Sequence, residues 1–242
     1  MTKIDRKEEY RFYNHPETGE YHLVISGLGI ENTSEIKNLD KLNNLTTLEL
    51  SSNRINKIEG LENLKNLKAL KLISAEVIHR GRCLKKIEGL ENLENLQYLE
   101  IVGHHITKTE GLENLKNLKR LELVDNKIRD IEGLENLKNL TELNLTSNQI
   151  QEISGLDFLE KLEILRLSSN QIRNINNLHN LYYLTELNLA YNQIQEITGL
   201  EERYLLERLN ISYNKIKTMK GLEDLEELKE LNLRNNQIQE IE

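Results

Sequence analysis

The chain has 242 residues and a formal net charge of -8, and 30% of its residues are charged. No apolar run approaches the about 18 residues that span a bilayer, so we do not expect a membrane protein. The net negative charge disfavours binding to phosphate groups, so we do not expect a nucleic-acid binder. The single cysteine, Cys83, permits no internal disulfide, and the first residues lack the apolar stretch of a secretory signal, which predicts a cytoplasmic location.

The N-terminal residues predict a hairpin. Two alternating stretches, Tyr10–Tyr13 and Glu20–Ile25, flank the turn-forming residues 15–19. We expect residues 1–22 to cap the apolar end of the structure that follows. The next stretch, from Leu23 to Leu42, is typical of a divergent first repeat.

Regular repeats follow at a step of 22 residues, which the Leu67 unit alone lengthens. Each unit carries leucine at its first and fourth places, leucine or isoleucine at its sixth and, as a rule, asparagine at its ninth. One unit is too small to bury its own leucines, so the units must stack into a single domain, residues 23–242. The units begin at Leu45, Leu67, Leu96, Leu118, Leu140, Leu162, Leu184, Leu206 and Leu228.

The spacing within a unit predicts an α/β solenoid. Leu-x-Leu alternates in and out as a short strand does, and successive strands lie about 4.8 Å apart in a parallel sheet. A glycine such as Gly60, or Asn177 in its place, then precedes the next leucines. We expect a right-handed solenoid with a concave parallel sheet, turns at these glycines, and short 3₁₀ or helical segments on the convex side.

The ninth-place asparagines are predicted to be structural, because their amides can bond the backbone groups left unpaired where the chain bends inward. They are Asn53, Asn126, Asn148, Asn170, Asn192, Asn214 and Asn236.

The repeat resembles a known class. Ile-Glu-Gly-Leu-Glu-Asn-Leu at 58–64, 87–93 and 131–137, followed by Leu-x-x-Leu-x-Leu-x-x-Asn-x-Ile, is similar to leucine-rich repeats of the 22-residue class typified by a nuclear regulatory subunit of protein phosphatase-1. Bacterial internalins share that class. The resemblance covers residues 23–242 and implies a curved protein-binding scaffold.

An apolar strip on the concave sheet is the first candidate binding site. Three consecutive units place Ile73, Val102 and Val124 at the seventh place, where the side chain points away from the core. Apolar anchors with a charged rim are typical of protein interfaces, although strand propensity alone also favours such residues. The charged rim consists of Lys71, Glu100, Arg120 and Glu122, and the predicted contacts beside the strip are Tyr98, Glu100, Arg120 and Glu122.

A second candidate patch lies toward the C-terminus and combines Ile164 and Arg166 with Tyr191 and Tyr213. Tyrosine offers a large contact area at a small entropic cost. The alternative is that the two tyrosines stack on adjacent turns to cover the sheet, since aromatic pairs stabilise such neighbours.

The unit at Leu67 is irregular, because Ala75 takes the asparagine place and about seven extra residues within 77–84 delay the next isoleucine. Such insertions commonly form functional loops. Stacking could gather His79, Cys83, His104 and His105 on one flank. Without a close-spaced ligand pair we predict no metal site, and expect His104 to replace asparagine as a hydrogen-bonding group.

These patterns predict a non-catalytic scaffold without a cofactor that binds another protein through its concave sheet. No phosphate-binding glycine loop and no nucleophile with a spaced base is present in the sequence. Regulation of a protein phosphatase and a consensus-like designed scaffold are the alternatives. The last unit keeps the repeat pattern without a cap, which favours a frayed terminal turn, with weak end-to-end self-association as the second option.

Overall fold

A computed structural model of the protein describes residues 10–15, 19–74 and 83–239. Two 3₁₀ turns, Thr33–Glu35 and Leu39–Lys41, follow the first two strands. Residues 75–82, which include Ala75, His79 and most of the predicted insertion, lie outside the described residues. The strands are β1 (Tyr10–His15), β2 (Glu20–Ile25), β3 (Leu45–Glu49), β4 (Ala69–Ile73), β5 (Tyr98–Val102), β6 (Arg120–Glu122), β7 (Glu142–Asn144), β8 (Ile164–Arg166), β9 (Glu186–Asn188), β10 (Arg208–Asn210) and β11 (Glu230–Asn232).

The described strands form one sheet whose spatial order is the order in the sequence. Strand β1 pairs antiparallel with β2, and β2 then pairs in parallel with β3, with a shift in register at Tyr21 and His22. From β3 onward every neighbouring pair is parallel, with the residues one repeat apart aligned. The predicted parallel-sheet solenoid is confirmed.

The core is a continuous column of leucine and isoleucine behind the sheet. In β7 the middle residue, Leu143, is completely buried, whereas its neighbours Glu142 and Asn144 are partly exposed. Because the period of a strand is two residues, the first, fourth and sixth places of each unit point inward and the third, fifth and seventh point outward. Burying each leucine contributes about 2 kcal/mol, so stacking supplies the stability that one unit lacks.

The ninth-place asparagines join each turn to its neighbours, as predicted. The amide Nδ2 of Asn148 donates to the carbonyl oxygens of Leu123 in the preceding turn, 2.9 Å away, and of Leu145 in its own turn, 3.0 Å away. Its Oδ1 accepts from the backbone N–H of Ile128 at 3.0 Å. These buried bonds satisfy backbone groups that the bend would otherwise leave unpaired.

The opposite, convex side consists mostly of turns, with 3₁₀ geometry in the first repeat. Gly155 adopts a φ of +67°, and a Cβ there would lie 2.2 Å from the carbonyl oxygen of Ile131. Asn177 takes the corresponding place with a φ of 55° and donates from Nδ2 to the Ile153 carbonyl at 2.7 Å. The prediction that asparagine can replace glycine at this turn is confirmed.

A second row of asparagines, here called the outer amide ladder, runs along the convex side. Asn139, for example, donates from Nδ2 to the Lys116 carbonyl of the preceding turn at 3.0 Å. The side chains lie near the surface, so each bond stabilises the fold less than those of the buried row. The ladder consists of Asn66, Asn95, Asn117 and Asn139.

Candidate functional site

The apolar strip is continuous in the structure. Ile73 in β4 lies opposite Val102 in β5, and the Gly103 N–H donates to the Val124 carbonyl at 3.1 Å in the next turn. All three apolar side chains are half-buried on the concave face. The structure therefore places them on three adjacent turns, with their side chains outside the leucine core.

The predicted rim of the strip is a closely connected group, here called the Tyr98 cluster, of Lys71, Tyr98, Glu100, Arg120 and Glu122. Lys71 Nζ lies 5.4 Å and Arg120 Cζ 5.3 Å from the centroid of the Tyr98 ring. The Tyr98 hydroxyl donates to Glu100 Oε2 at 2.6 Å and lies 3.5 Å from Glu122 Oε1. The aromatic ring is thus held between two cations and its hydroxyl between two carboxylates.

Ion pairs complete the Tyr98 cluster. Lys71 Nζ lies 3.6 Å from Glu100 Oε2, and Arg120 Nε donates to Glu122 Oε1 at 2.7 Å. Burial, reinforced by the Glu100 carboxylate, raises the pKa of Tyr98, so its hydroxyl stays protonated and remains a donor. The cluster consequently presents a fixed ring and balanced charges rather than a surface of one sign.

The second patch contains a stacked pair of aromatic rings. The Tyr191 and Tyr213 centroids are 4.1 Å apart with an interplanar angle of 11°. Both residues occupy the eighth place of their units with a positive φ, of 57° and 55°. Arg166 instead pairs with Glu186, with Nη2 2.8 Å from Oε1. Ile164, in register with Glu186 on the next strand, is half-buried beside them.

A row of asparagine amides on the C-terminal strands was not singled out from the sequence. Asn188, Asn210 and Asn232 each accept through Oδ1 from the backbone N–H two residues later, at 3.1, 3.2 and 3.1 Å. Because Oδ1 is engaged, Nδ2 remains the donor of each amide, and the three asparagines line a groove of about 600 Å³. Its sequence signal is asparagine repeated at the fifth place, which an argument based on apolar anchors overlooks.

His104 acts as the predicted substitute for asparagine. Its Nδ1 accepts from the Leu84 N–H at 3.3 Å. In the next turn, Asn126 Oδ1 accepts from the Ile106 N–H in the same way. Cys83 is half-buried, and His79 lies outside the described residues. Among the residues that are described, no three histidine, cysteine or acidic side chains come together as metal ligands.

Comparison with protein families decides the class. Residues 116–158, 160–202 and 205–242 match the family described as Leucine Rich repeats (2 copies), and residues 41–58 match Leucine Rich repeat. The first family alone covers more than half of the chain. The chain belongs to the leucine-rich-repeat family. Members of this family are typically non-catalytic, and their fold generally mediates protein–protein interactions.

Solved structures place this leucine-rich-repeat protein near the internalins. Internalin C2 of Listeria monocytogenes is 31% identical over 76% of this chain and 77% of that chain, with a TM-score of 0.66. An internalin (inlF) of the same organism is 26% identical over 89% and 74%, with a TM-score of 0.65. The specific phosphatase-regulator class of repeat is not established by these matches.

A more distant likeness concerns the fold alone. TLR13 in its complex with ssRNA13 is 24% identical over 84% of this chain and 34% of that chain, with a TM-score of 0.67. No curated protein matches this leucine-rich-repeat chain. The described part of the chain contains no helix long and apolar enough to pass through a bilayer.

Proposed function

We propose that the protein is a non-catalytic scaffold that binds another protein on the N-terminal half of its concave face. The observation that carries this proposal is the apolar strip, Ile73, Val102 and Val124, lying directly beside the Tyr98 cluster. Outward-facing apolar side chains on three adjacent turns contribute nothing to the leucine core. Their burial by a partner would be favourable at about 25 cal/mol per Å².

The Tyr98 cluster supports the same site because it is already ordered. Two cations flank the Tyr98 ring and its hydroxyl is hydrogen-bonded, so little side-chain freedom remains to be lost on binding. Tyrosine and arginine are also the residues most often found at the centre of interfaces. We expect the ring and the outer edge of Arg120 to contact the partner, and Glu100 and Glu122 to hold them in place.

A protein partner fits this surface better than RNA, although TLR13 was solved with ssRNA13. Cations on the concave sheet are matched by carboxylates, as in Lys71 with Glu100 and Arg208 with Glu186. The chain carries a net charge of -8. Binding to a phosphate backbone depends on uncompensated lysine and arginine, so this surface lacks the main driving force for RNA.

The test is a comparison of two double variants in a pull-down with chemical crosslinking. Val102→Lys/Val124→Lys places charge in the strip, and lysine should fold there because Arg234 occupies the same place in the last unit. Thr146→Lys/Ser168→Lys makes the same change on the next two turns and serves as the matched control. We expect the strip variant to lose the captured partner, with affinity reduced more than about 100-fold, and the control to keep it.

The outcomes separate the candidate surfaces. A partner retained by the strip variant and lost by Tyr191→Ser/Tyr213→Ser would move the site to the C-terminal patch and contradict the proposal. Equal loss in the strip variant and its Thr146/Ser168 control would show a general charge effect, and the strip would then have no special role. Circular dichroism of every variant checks that the repeat structure is intact.

A further inference from the structure

A convex aromatic patch lies on the side of the solenoid opposite the proposed concave site. Its five large apolar side chains are each between 45% and 58% exposed. They fall in three successive turns, and Tyr182 and Tyr183 occupy the same two places as Tyr204 and Leu205 one unit later. The convex aromatic patch consists of Phe158, Tyr182, Tyr183, Tyr204 and Leu205.

Fold stability does not account for these residues. The corresponding two places in earlier turns carry Lys116 and Asn117 or Lys138 and Asn139, where the asparagine belongs to the outer amide ladder. Tyr183 replaces that asparagine and cannot donate the same bond, so the turn loses a stabilising contact and exposes apolar surface instead. Exposed apolar side chains that are grouped on successive turns in this way are typical of an interaction site.

A buried arginine supports the patch from beneath. Arg203 takes a place that leucine holds in the other turns, yet it is 4% exposed, and its Nη1 donates to the Leu178 carbonyl at 2.9 Å. Its guanidinium Cζ lies 5.9 Å from the Tyr182 ring centroid. This contact fixes the ring from the inner side and shows that the ring accepts a cation on its face.

The surroundings of the patch are acidic. Four convex segments, residues 155–161, 177–183, 199–205 and 221–227, contain eight carboxylates and two cations. Both cations are engaged within the fold, since Lys161 donates to Asn139 Oδ1 at 2.9 Å and Arg203 is buried. The four preceding convex segments, residues 60–66, 89–95, 111–117 and 133–139, contain five carboxylates and three lysines. The eight carboxylates are Asp157, Glu160, Glu201, Glu202, Glu223, Asp224, Glu226 and Glu227.

We infer that the convex aromatic patch docks a basic segment of another protein, with arginine or lysine side chains next to apolar ones. Exposed tyrosine faces attract guanidinium and ammonium groups, and the surrounding carboxylates pair with the same cations. The apolar neighbours of those cations would cover Phe158 and Leu205. Charge complementarity selects this occupant over an acidic or neutral one and speeds its association.

The experiment uses the whole chain and two fluorescein-labelled probe peptides, one of alternating arginine and leucine and one of alternating glutamate and leucine. The patch variant is Tyr182→Gln/Tyr183→Asn/Tyr204→Gln/Leu205→Asn, which leaves the net charge unchanged and gives both turns the ladder asparagine. We expect the basic peptide to bind the native chain and the patch variant to bind it at least about tenfold more weakly. The acidic peptide should bind neither.

Two further variants make the result specific. Glu223→Gln/Glu226→Gln/Glu227→Gln keeps the aromatic rings. This variant should bind the basic peptide more weakly, and its binding should depend less on salt. Val102→Lys/Val124→Lys alters the concave strip and should leave this binding unchanged, so failure of the concave proposal does not decide the convex one. Thermal unfolding of the patch variant should occur at an equal or higher temperature, because the outer amide ladder is extended.

Three results would overturn the inference. The basic peptide could bind the patch variant as tightly as the native chain, or show no affinity for the native chain. The acidic peptide could bind equally well, which would show unselective adhesion to exposed rings. Sedimentation could show dimers of the native chain that the patch variant does not form, which would make a second copy of the chain the occupant.

Discussion

His104 makes only one of the two kinds of hydrogen bond that asparagine makes at the same place in the neighbouring turns. Asn126 both accepts from the Ile106 N–H and donates to the Ile101 carbonyl at 2.9 Å. His104 makes the first of these bonds with Leu84, but its Nε2 is buried without a hydrogen-bond partner among the described residues. Burial lowers the pKa of His104 to about 4, against a smaller opposing effect of the Leu72 carbonyl.

This environment predicts a specific dependence of stability on pH. In the native state His104 stays mostly neutral until the pH approaches about 4, whereas in the unfolded chain it gains a proton below about pH 6.5. The free energy of unfolding that depends on neutral His104 is therefore fully present above pH 6.5. About 3 kcal/mol of it is lost as the pH falls toward 4. Urea unfolding at several pH values should show that His104→Asn loses less stability than the native chain over this range.

A neighbouring histidine supplies the control for that measurement. Burial also lowers the pKa of His105, but its side chain is only half-buried, so His105→Asn should change the pH dependence less. Carboxylates that titrate below pH 5 are common to all three proteins and cancel in the difference. Parallel pH curves for the native chain and His104→Asn would contradict the proposed neutral buried state.

At the scale of the turn, glycine is required where the backbone of one turn closely approaches the preceding turn. In Gly155→Ala the new Cβ would lie 2.2 Å from the Ile131 carbonyl oxygen, in addition to the strain of a φ of +67°. Gly60 has a similar φ of +77°, but its nearest neighbour to such a Cβ is Ser34 Cα at 3.7 Å. We expect Gly60→Ala to cost about 1 kcal/mol of unfolding free energy and Gly155→Ala about 2–4 kcal/mol.

Denaturant unfolding of the two glycine variants tests this difference. Both substitutions carry the cost of a left-handed conformation, so subtracting one from the other leaves the cost of the close approach. Equal losses would mean that the turn at Gly155 shifts freely away from Ile131. Gly155→Asn is a further comparison, because Asn177 shows that asparagine can occupy this turn when the chain accommodates its Cβ.

The strands and turns were largely predictable from the sequence, because a leucine that recurs at a fixed step is favourable only in the core. Stacking fixes the strands, the parallel order and the role of asparagines such as Asn148. The contacts of the concave rim were less accessible, since Lys71, Tyr98 and Arg120 lie in three different units and their mutual pairing depends on which rotamers fit across turns. The sequence pattern marked these residues as a rim but not as one connected cluster.

The convex patch had a sequence signal that an argument restricted to strands does not use. Tyr182 and Tyr183 depart from the lysine and asparagine of other units, and so do Tyr204 and Leu205. Departure from a repeat at an exposed place is informative, because the fold gains nothing there. The support from Arg203 was less visible, since a charged residue in a leucine place gives no indication of which carbonyl will accept its bonds.

For the whole molecule, the sheet order means that each turn depends on its two neighbours. Each described strand is hydrogen-bonded to strands adjacent in sequence, and the buried asparagine bonds reach one turn back. Such a solenoid is nearly one-dimensional, and its stability is close to a sum of units and interfaces between them. Removing one complete period should therefore preserve the fold, while removing half a period should destroy the register of every later turn.

Deletion of residues 128–149 is the sharpest form of this test, because it joins Lys127 to Ile150 and transfers the bonds of the lost turn. In the native chain Asn170 Nδ2 donates to the Leu145 carbonyl. In the shortened chain it would donate instead to the Leu123 carbonyl, which accepts from Asn148 in the native chain. We expect cooperative urea unfolding with an m-value lower by roughly a tenth, since m follows the surface exposed on unfolding. Deletion of residues 128–138 removes half a period from the same turn and should abolish cooperative unfolding. Equal damage from both deletions would show that the solenoid depends on contacts beyond neighbouring turns.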